Sequence, residues 1–250
     1  MFNLFKFSSP ASFYPLAGRL VTLFAIASVI LLAIGLYMSF FVAPTDYKQG
    51  EGYRIMFIHV PAAWMSMLIY VVMACWAAAG MIWNTRLSSM MATSLAPTGA
   101  MFTFIALWTG ALWGKPMWGA WWVWDARLTS ELILLFLYVG FMALESAIDD
   151  PRRAARASGL LALVGVVNIP IIYYSVQWWN TLHQGSTIDF SKGGGVEISM
   201  SEIMLWTLLI MTFACWFYTI AVALNRVRSI ILEREADSAW VKTLLKGAKS

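Results

Sequence analysis

Six apolar stretches recur along the chain, at 20–42, 62–83, 91–113, 128–148, 158–178 and 203–224, separated by short polar segments. Each runs close to the roughly 20 residues that a helix needs to cross a hydrocarbon core of about 30 Å. The pattern predicts an all-α polytopic membrane bundle with six transmembrane helices, a single membrane domain covering residues 1–250. The first stretch follows a short basic start but is longer than the roughly 7–15 apolar residues of a secretory signal, and reads as a retained helix. In the fourth, Glu131 and Glu145 lie near the two ends, and Arg127 stands four residues before Glu131, a spacing that permits an ion pair on one helical face. Asn168 and Pro170 fall in the fifth, where proline predicts a kink and a freed carbonyl in need of a partner.

Composition supports the same class. Hydrophobic residues make up 60% of the chain and charged residues 12%, with a mean hydropathy of +0.71, too little charge to cover a soluble domain of this length. Cys75 and Cys215 lie far apart in apolar runs, without a CxxC pair, and read as small core residues. The net charge is +4, but its placement says more. Lys48, Arg54, Lys115, Arg127 and Lys192 fall at one side of the predicted bundle, and the other twelve of the 17 cations at the opposite side. By the positive-inside rule the richer side is cytoplasmic. Both termini then face the cytoplasm, and segments 43–61, 114–127 and 179–202 face outward. The basic tail, 225–250, interleaves Trp240, Val241, Leu244 and Leu245 with Lys242, Lys246 and Lys249, as a small amphipathic helix on an anionic leaflet would.

Candidate chemistry gathers on the outer side. Five tryptophans, Trp113, Trp118, Trp121, Trp122 and Trp124, fall between the third and fourth stretches, mixed with Gly114 and Gly119. An aromatic belt accounts for one or two tryptophans at a helix end. Five in one outer segment, 114–127 with Trp113 at its edge, predict instead a shelf for a large flat apolar ligand. Asp125 precedes the fourth stretch as a helix cap would. Arg127 is placed to meet Glu131, Asp125 or a ligand carboxylate. The chain has 2 histidines, His59 and His183, and both fall at outer helix ends. Pro61 suits a first helical turn, so His59 is expected just before the second helix. The positive end of that helix dipole keeps its ring neutral, the form that ligates metal. Two neutral imidazoles, an aromatic shelf, and Arg54, Lys115 or Arg127 for propionates fit heme as the ligand class. Zinc fits less well, being short of tetrahedral ligands. Gly110–Pro116 is no P-loop, since its glycine spacing is one residue short and Pro116 stands where Ser or Thr is required. Gly193–Gly195 reads as a loop segment.

Two other classes compete on the residues alone. A solute or heme permease places polar groups near the midplane, where Asn168 is the main candidate. An electron-transfer cytochrome ligates heme within its spans, and histidines only at the outer ends allow at most one bis-histidine heme near the surface.

The segment Trp118–Glu131, WGAWWVWDARLTSE, closely resembles the tryptophan-rich "WWD" signature of heme-handling proteins of cytochrome c maturation. Chain length, six spans and the placement of both histidines are similar to the heme exporter protein C family, the C component of the system I machinery. The resemblance covers nearly the whole chain. It implies heme b held by axial His59 and His183 on the periplasmic side of the bacterial inner membrane. It further implies that the tryptophan segment and Asp125 hold the heme and present its edge to a periplasmic heme chaperone, the E component. The implied partners also include an ABC transporter, the A and B components, and a small membrane D component. Such a chain supplies positioning and electrostatics more than a reactive group of its own.

Overall fold

The computed structural model describes residues 7–179, 188–189, 197–198 and 200–247. Helix α1, Pro10–Tyr37, ends in a π turn at Met38–Val42. A 3-10 turn, Glu51–Ile55, leads into α2, Met56–Trp83. Then follow α3, Arg86–Trp118; α4, Ala126–Ala147; α5, Pro151–Gly165; and α6, Asn168–Trp178. Helix α7 is Glu202–Arg234 and α8 is Ala239–Gly247. Between α6 and α7, two-residue strands Ile188–Asp189 and Glu197–Ile198 pair antiparallel. Among the described residues, six helical units are long and apolar enough to cross a membrane, α5 and α6 together making the fifth. The protein is a multi-pass helical membrane protein.

Several helices outrun their apolar stretches. The first, second, third and sixth units are each 33 residues long, about 50 Å at 1.5 Å per residue, well beyond the hydrocarbon thickness. Local signals set their ends. Ser9 caps α1, its hydroxyl accepting from Ser12 N, with Pro10 in the first helical position. Helix α3 continues past Trp113 through Pro116 to Trp118, so part of the expected outer loop is helical. It closes at Gly119, whose φ of +79° is a left-handed cap that favours glycine.

The fifth unit breaks rather than bends. Val166 and Val167 form a turn between α5 and α6, with Val166 N and Val167 N bonding back to Leu163 O and Val164 O at 3.4 Å each. Pro170 has no N–H to offer Val166 O, and Ile169 N takes that carbonyl at 3.0 Å. Asn168 donates from Nδ2 to Ser130 O at 2.9 Å, tying α6 to α4. The freed carbonyl therefore finds its partner locally, and the asparagine holds the break against its neighbour.

In lipid, helices associate by close packing and buried hydrogen bonds, because the tails compete for apolar contact. The core is built that way. Tyr138 on α4 donates to Ser66 O on α2 at 2.7 Å, and its ring meets Tyr70 edge-on at 5.0 Å. Gly99 of α3 lies directly against Tyr138, where an added Cβ would overlap the phenol. Gly99→Ala is accordingly expected to destabilise the bundle by about 1–3 kcal/mol, the usual cost of overpacking. Reversible unfolding in detergent micelles measures it, and unaltered stability would mean that the α2–α3–α4 core is looser than described.

Helix α1 packs mainly on α7. Its Ser28 hydroxyl donates to Ala214 O at 2.9 Å, and Gly35 lies against Met211. The other face of α1 carries exposed Leu23, Ile26, Val29 and Ile30, as a lipid-facing helix should. Cys215 packs against the core, but Cys75 is exposed on α2, so only one of the two cysteines is the core residue expected; position 75 points outward from the bundle. The expected tail helix forms as α8. Val241 is buried, and Trp240 packs on Tyr14 of α1 at 5.9 Å.

Candidate functional site

The site forms where the start of α2 meets the end of α3. His59 is not ahead of its helix but in the first turn of α2, which the Glu51–Ile55 turn starts earlier than Pro61 implied. It still lies within reach of the positive dipole end. Its ring rests on the outer end of α3. Trp113 meets it edge-on at 5.7 Å, and Thr109 Oγ1 is 3.0 Å from Nδ1. Thr109 and Trp113, four residues apart, share one helical face. Gly110 completes the seat, since a Cβ there would come 3.1 Å from His59 Cε1.

Thr109 favours one tautomer of the ring. A hydroxyl has one proton and two acceptor lone pairs. Thr109 Oγ1 donates to Ile105 O at 2.6 Å. An oxygen so engaged accepts from His59 in the tautomer protonated at Nδ1, which leaves the lone pair on Nε2. A metal-ligating histidine is held this way, one ring nitrogen donating to a supporting oxygen and the other bearing the ligating pair.

The tryptophan segment continues from this seat. Trp113 donates from Nε1 to Gln49 Oε1 at 2.9 Å. Gln49 belongs to a turn in which Asp46 Oδ1 accepts from Lys48 N and Gln49 N at 2.9 and 2.8 Å. Trp118 folds back onto Gly114, where a Cβ would come 3.2 Å from its ring. Trp122 and Trp124 meet edge-on at 5.4 Å. Trp121 and Trp124 are 57% and 77% exposed, so these two rings face away from the protein. Trp122 Nε1 is buried without an acceptor among the described residues, a donor that suits a ligand carboxylate. Asp125 caps α4, its Oδ1 accepting from Leu128 N at 2.8 Å.

The cations sort themselves. Arg54 donates to the Glu51 carboxylate and to Ser39 O, and Lys115 Nζ donates to Gly119 O at 3.0 Å. Lys115 thus braces the segment, while Arg54 ties the Glu51–Ile55 turn to the end of the first helical unit. Arg127 forms no ion pair with Glu131 among the described residues. Glu131 is buried and turns instead to α2, accepting from Ser66 Oγ at 2.8 Å; the i,i+4 spacing permitted a pair that this inward rotamer forgoes. Arg127 stands beside the segment within electrostatic reach of Asp125 and Glu131, with no ion-pair contact to either among the described residues. The second histidine, His183, lies outside the described residues, as do Lys192 and Gly193–Gly195. The helix that leads toward it, α6, ends in an aromatic stack of Tyr174 on Trp178 at 5.2 Å, with Trp179 edge-on to Trp178 at 5.8 Å.

Sequence reasoning placed His59, Trp113 and the tryptophan segment at one end of the bundle, and the structure brings His59 and Trp113 into contact. It missed Thr109, Gly110 and Gln49. The four-residue step from Thr109 to Trp113 was the available signal, but nothing in the chain pointed the hydroxyl at a histidine 50 positions away.

Comparison with known proteins agrees with this architecture. The family model described as Heme exporter protein C matches residues 3–242. Heme exporter protein C of Escherichia coli K12 is 48% identical over 243 residues, covering 97% of this chain and 96% of its own. That of Bradyrhizobium diazoefficiens is 48% identical over 236 residues, 94% of this chain and 88% of its own. A Marchantia polymorpha protein, described as a putative cytochrome c biosynthesis ccmC-like mitochondrial protein, is 48% identical over 170 residues, 68% of this chain and 72% of its own. With the match running nearly end to end, this chain belongs to the heme exporter protein C family.

Proposed function

We propose that this protein holds heme b at the outer, periplasmic face of the bacterial inner membrane and presents it to a periplasmic heme chaperone for c-type cytochrome biogenesis. The observation that carries the reading is His59. Its Nδ1 lies 3.0 Å from Thr109 Oγ1, and its ring lies beside Trp113 at the mouth of a tryptophan-rich segment. His59 and His183 would hold the iron axially, and Trp113, Trp118, Trp121, Trp122 and Trp124 would contact the macrocycle. The buried Trp122 N–H and Arg127 are the donors suited to propionates. Asp125 keeps the segment at the head of α4. Names of relatives speak of heme export and cytochrome c biosynthesis, in keeping with this cargo. The excess of cations at the end bearing both termini supports a cytoplasmic placement for that end and an outward placement for the site. Asn168, the polar group a permease reading would use, is engaged with Ser130 O.

In this reading the chain works beside an ABC transporter (the A and B components), the small membrane D component and the chaperone, or E component. The exposed rings of Trp121 and Trp124 form the docking edge. Replacing both by alanine is expected to cut chaperone loading per heme bound at least about tenfold, since exposed aromatic anchors dominate such interfaces. Heme content of the two co-purified proteins measures it. Loading at the native level in the double variant would count against presentation through this segment.

A further inference from the structure

The opposite end of the bundle carries a second site. There the α2–α3 turn, the α4–α5 turn and the end of α7 enclose a cavity of about 450 Å³, within the roughly 300–1,000 Å³ of small-ligand sites. Its wall is divided. Met81 and Phe141 are among its apolar lining, while Arg86, Arg152, Arg156 and Arg234 bring cations, against the carboxylates of Glu145 and Asp150.

Both carboxylates are already engaged from within the protein. Glu145 accepts from Arg234 Nη2 at 3.0 Å, from Thr93 Oγ1 at 2.9 Å and from Ser158 Oγ at 2.6 Å. Asp150 caps α5, its Oδ1 accepting from Arg153 N at 2.8 Å. Arg86 reaches Glu235 at 3.3 Å. Arg152 and Arg156 differ: they are exposed, four residues apart on one face of α5, and neither has an ion pair among the described residues. The cavity therefore has a floor whose carboxylates are held by the protein's own donors, a cationic mouth and an apolar side. It also sits beside the polar turn that follows Trp83, where the apolar run of α2 ends.

We propose that this cavity binds an acidic phospholipid of the adjoining leaflet, with the phosphate between Arg152 and Arg156 and the glycerol end of the lipid against the exposed Met81. Guanidinium groups at interfacial depth match a phosphate diester. The apolar wall suits the first methylenes of the lipid and has no use in binding a free anion. The bound lipid bridges α5 to the α2–α3 turn and stabilises this end of the bundle. The proposal stands apart from the heme reading, since it uses neither the outer site nor the direction of insertion.

Delipidated protein in a zwitterionic detergent, titrated with dioleoyl-phosphatidylglycerol, tests it by native mass spectrometry and by Tm. Phosphatidylglycerol is expected to stay bound and raise Tm, and phosphatidylcholine to do neither. Arg152→Gln with Arg156→Gln should weaken retention about 25-fold, taking about fivefold per interfacial cation. Arg153→Gln, which changes the charge of the same helix outside the cavity lining, should stay within about twofold of the native affinity. Equal retention of the two lipids, native affinity in the double variant, or an equal loss in Arg153→Gln would overturn the proposal. So would inorganic phosphate raising Tm as far as the lipid does, which would assign the cavity to a free anion.

Discussion

Replacing His59 by alanine is expected to abolish low-spin heme binding by the purified protein. His59 is the one described residue that combines an imidazole, a position in the first turn of α2 and contact with the tryptophan segment. Losing a partner that merely supports a ligand costs about 10–100-fold in metal affinity, so loss of the ligand itself should exceed that. The substitution removes a partly buried ring from the edge of the bundle and leaves the Tyr70–Tyr138 core untouched, so the variant should insert and purify normally. Hemin titration followed by absorption measures the effect, and millimolar imidazole should restore the low-spin bands by filling the vacated position. Native-like titration of the variant would place the iron elsewhere.

The second large effect is expected at a residue that touches no heme. Thr109→Val keeps the shape of the side chain but removes the oxygen that accepts from His59 Nδ1. The imidazole then has no oxygen at that position to fix its tautomer, and it becomes a weaker donor toward iron. Heme affinity should fall about 10–100-fold. The midpoint potential should rise, because a less basic axial ligand stabilises the ferric state less. Thr109→Ser retains the hydroxyl and should restore both. The paired readouts separate this role from simple packing: a looser fold would lower affinity without moving the potential, and serine, which lacks the methyl group, would not rescue it. A valine variant with native affinity and native potential would mean that the Thr109 contact does not govern the ring.

How much of this was legible beforehand depended on the scale of the signal. The spans were, because 20-residue apolar runs state a membrane crossing directly. Their ends were not. Ser9 with Pro10 extends α1, Gly119 stops α3 only after Trp118, and Arg234 ends α7 well past residue 224; hydropathy falls away where a helix leaves the hydrocarbon, while capping decides where it stops. Pro61 shows the same division. It marked a helix start, but the Glu51–Ile55 turn had already begun winding the chain, so His59 lies inside the helix rather than before it. At the site, the tryptophan run and the histidine stood out by residue type, and Asp125 by its position before an apolar run. Thr109 did not, because an ordinary threonine in an apolar span acquires its role only when α2 is laid against α3. The Arg127–Glu131 spacing was true to the helix and keeps the two charges within electrostatic reach, but it could not show that the Glu131 carboxylate accepts from a hydroxyl on α2. Cys75 misled: residence in an apolar run does not distinguish the core from the lipid face.

The central claim is that His59 and His183 hold heme at the tryptophan-rich end of the bundle. The most direct test is the low-temperature electron paramagnetic resonance spectrum of the oxidised protein purified with its heme, for the native chain and for His59→Ala and His183→Ala. A low-spin bis-imidazole ferric signal in the native protein, converted to another spin or ligand state by each substitution, is the predicted result. A native protein without heme, or a ferric signal that neither substitution alters, would contradict the account.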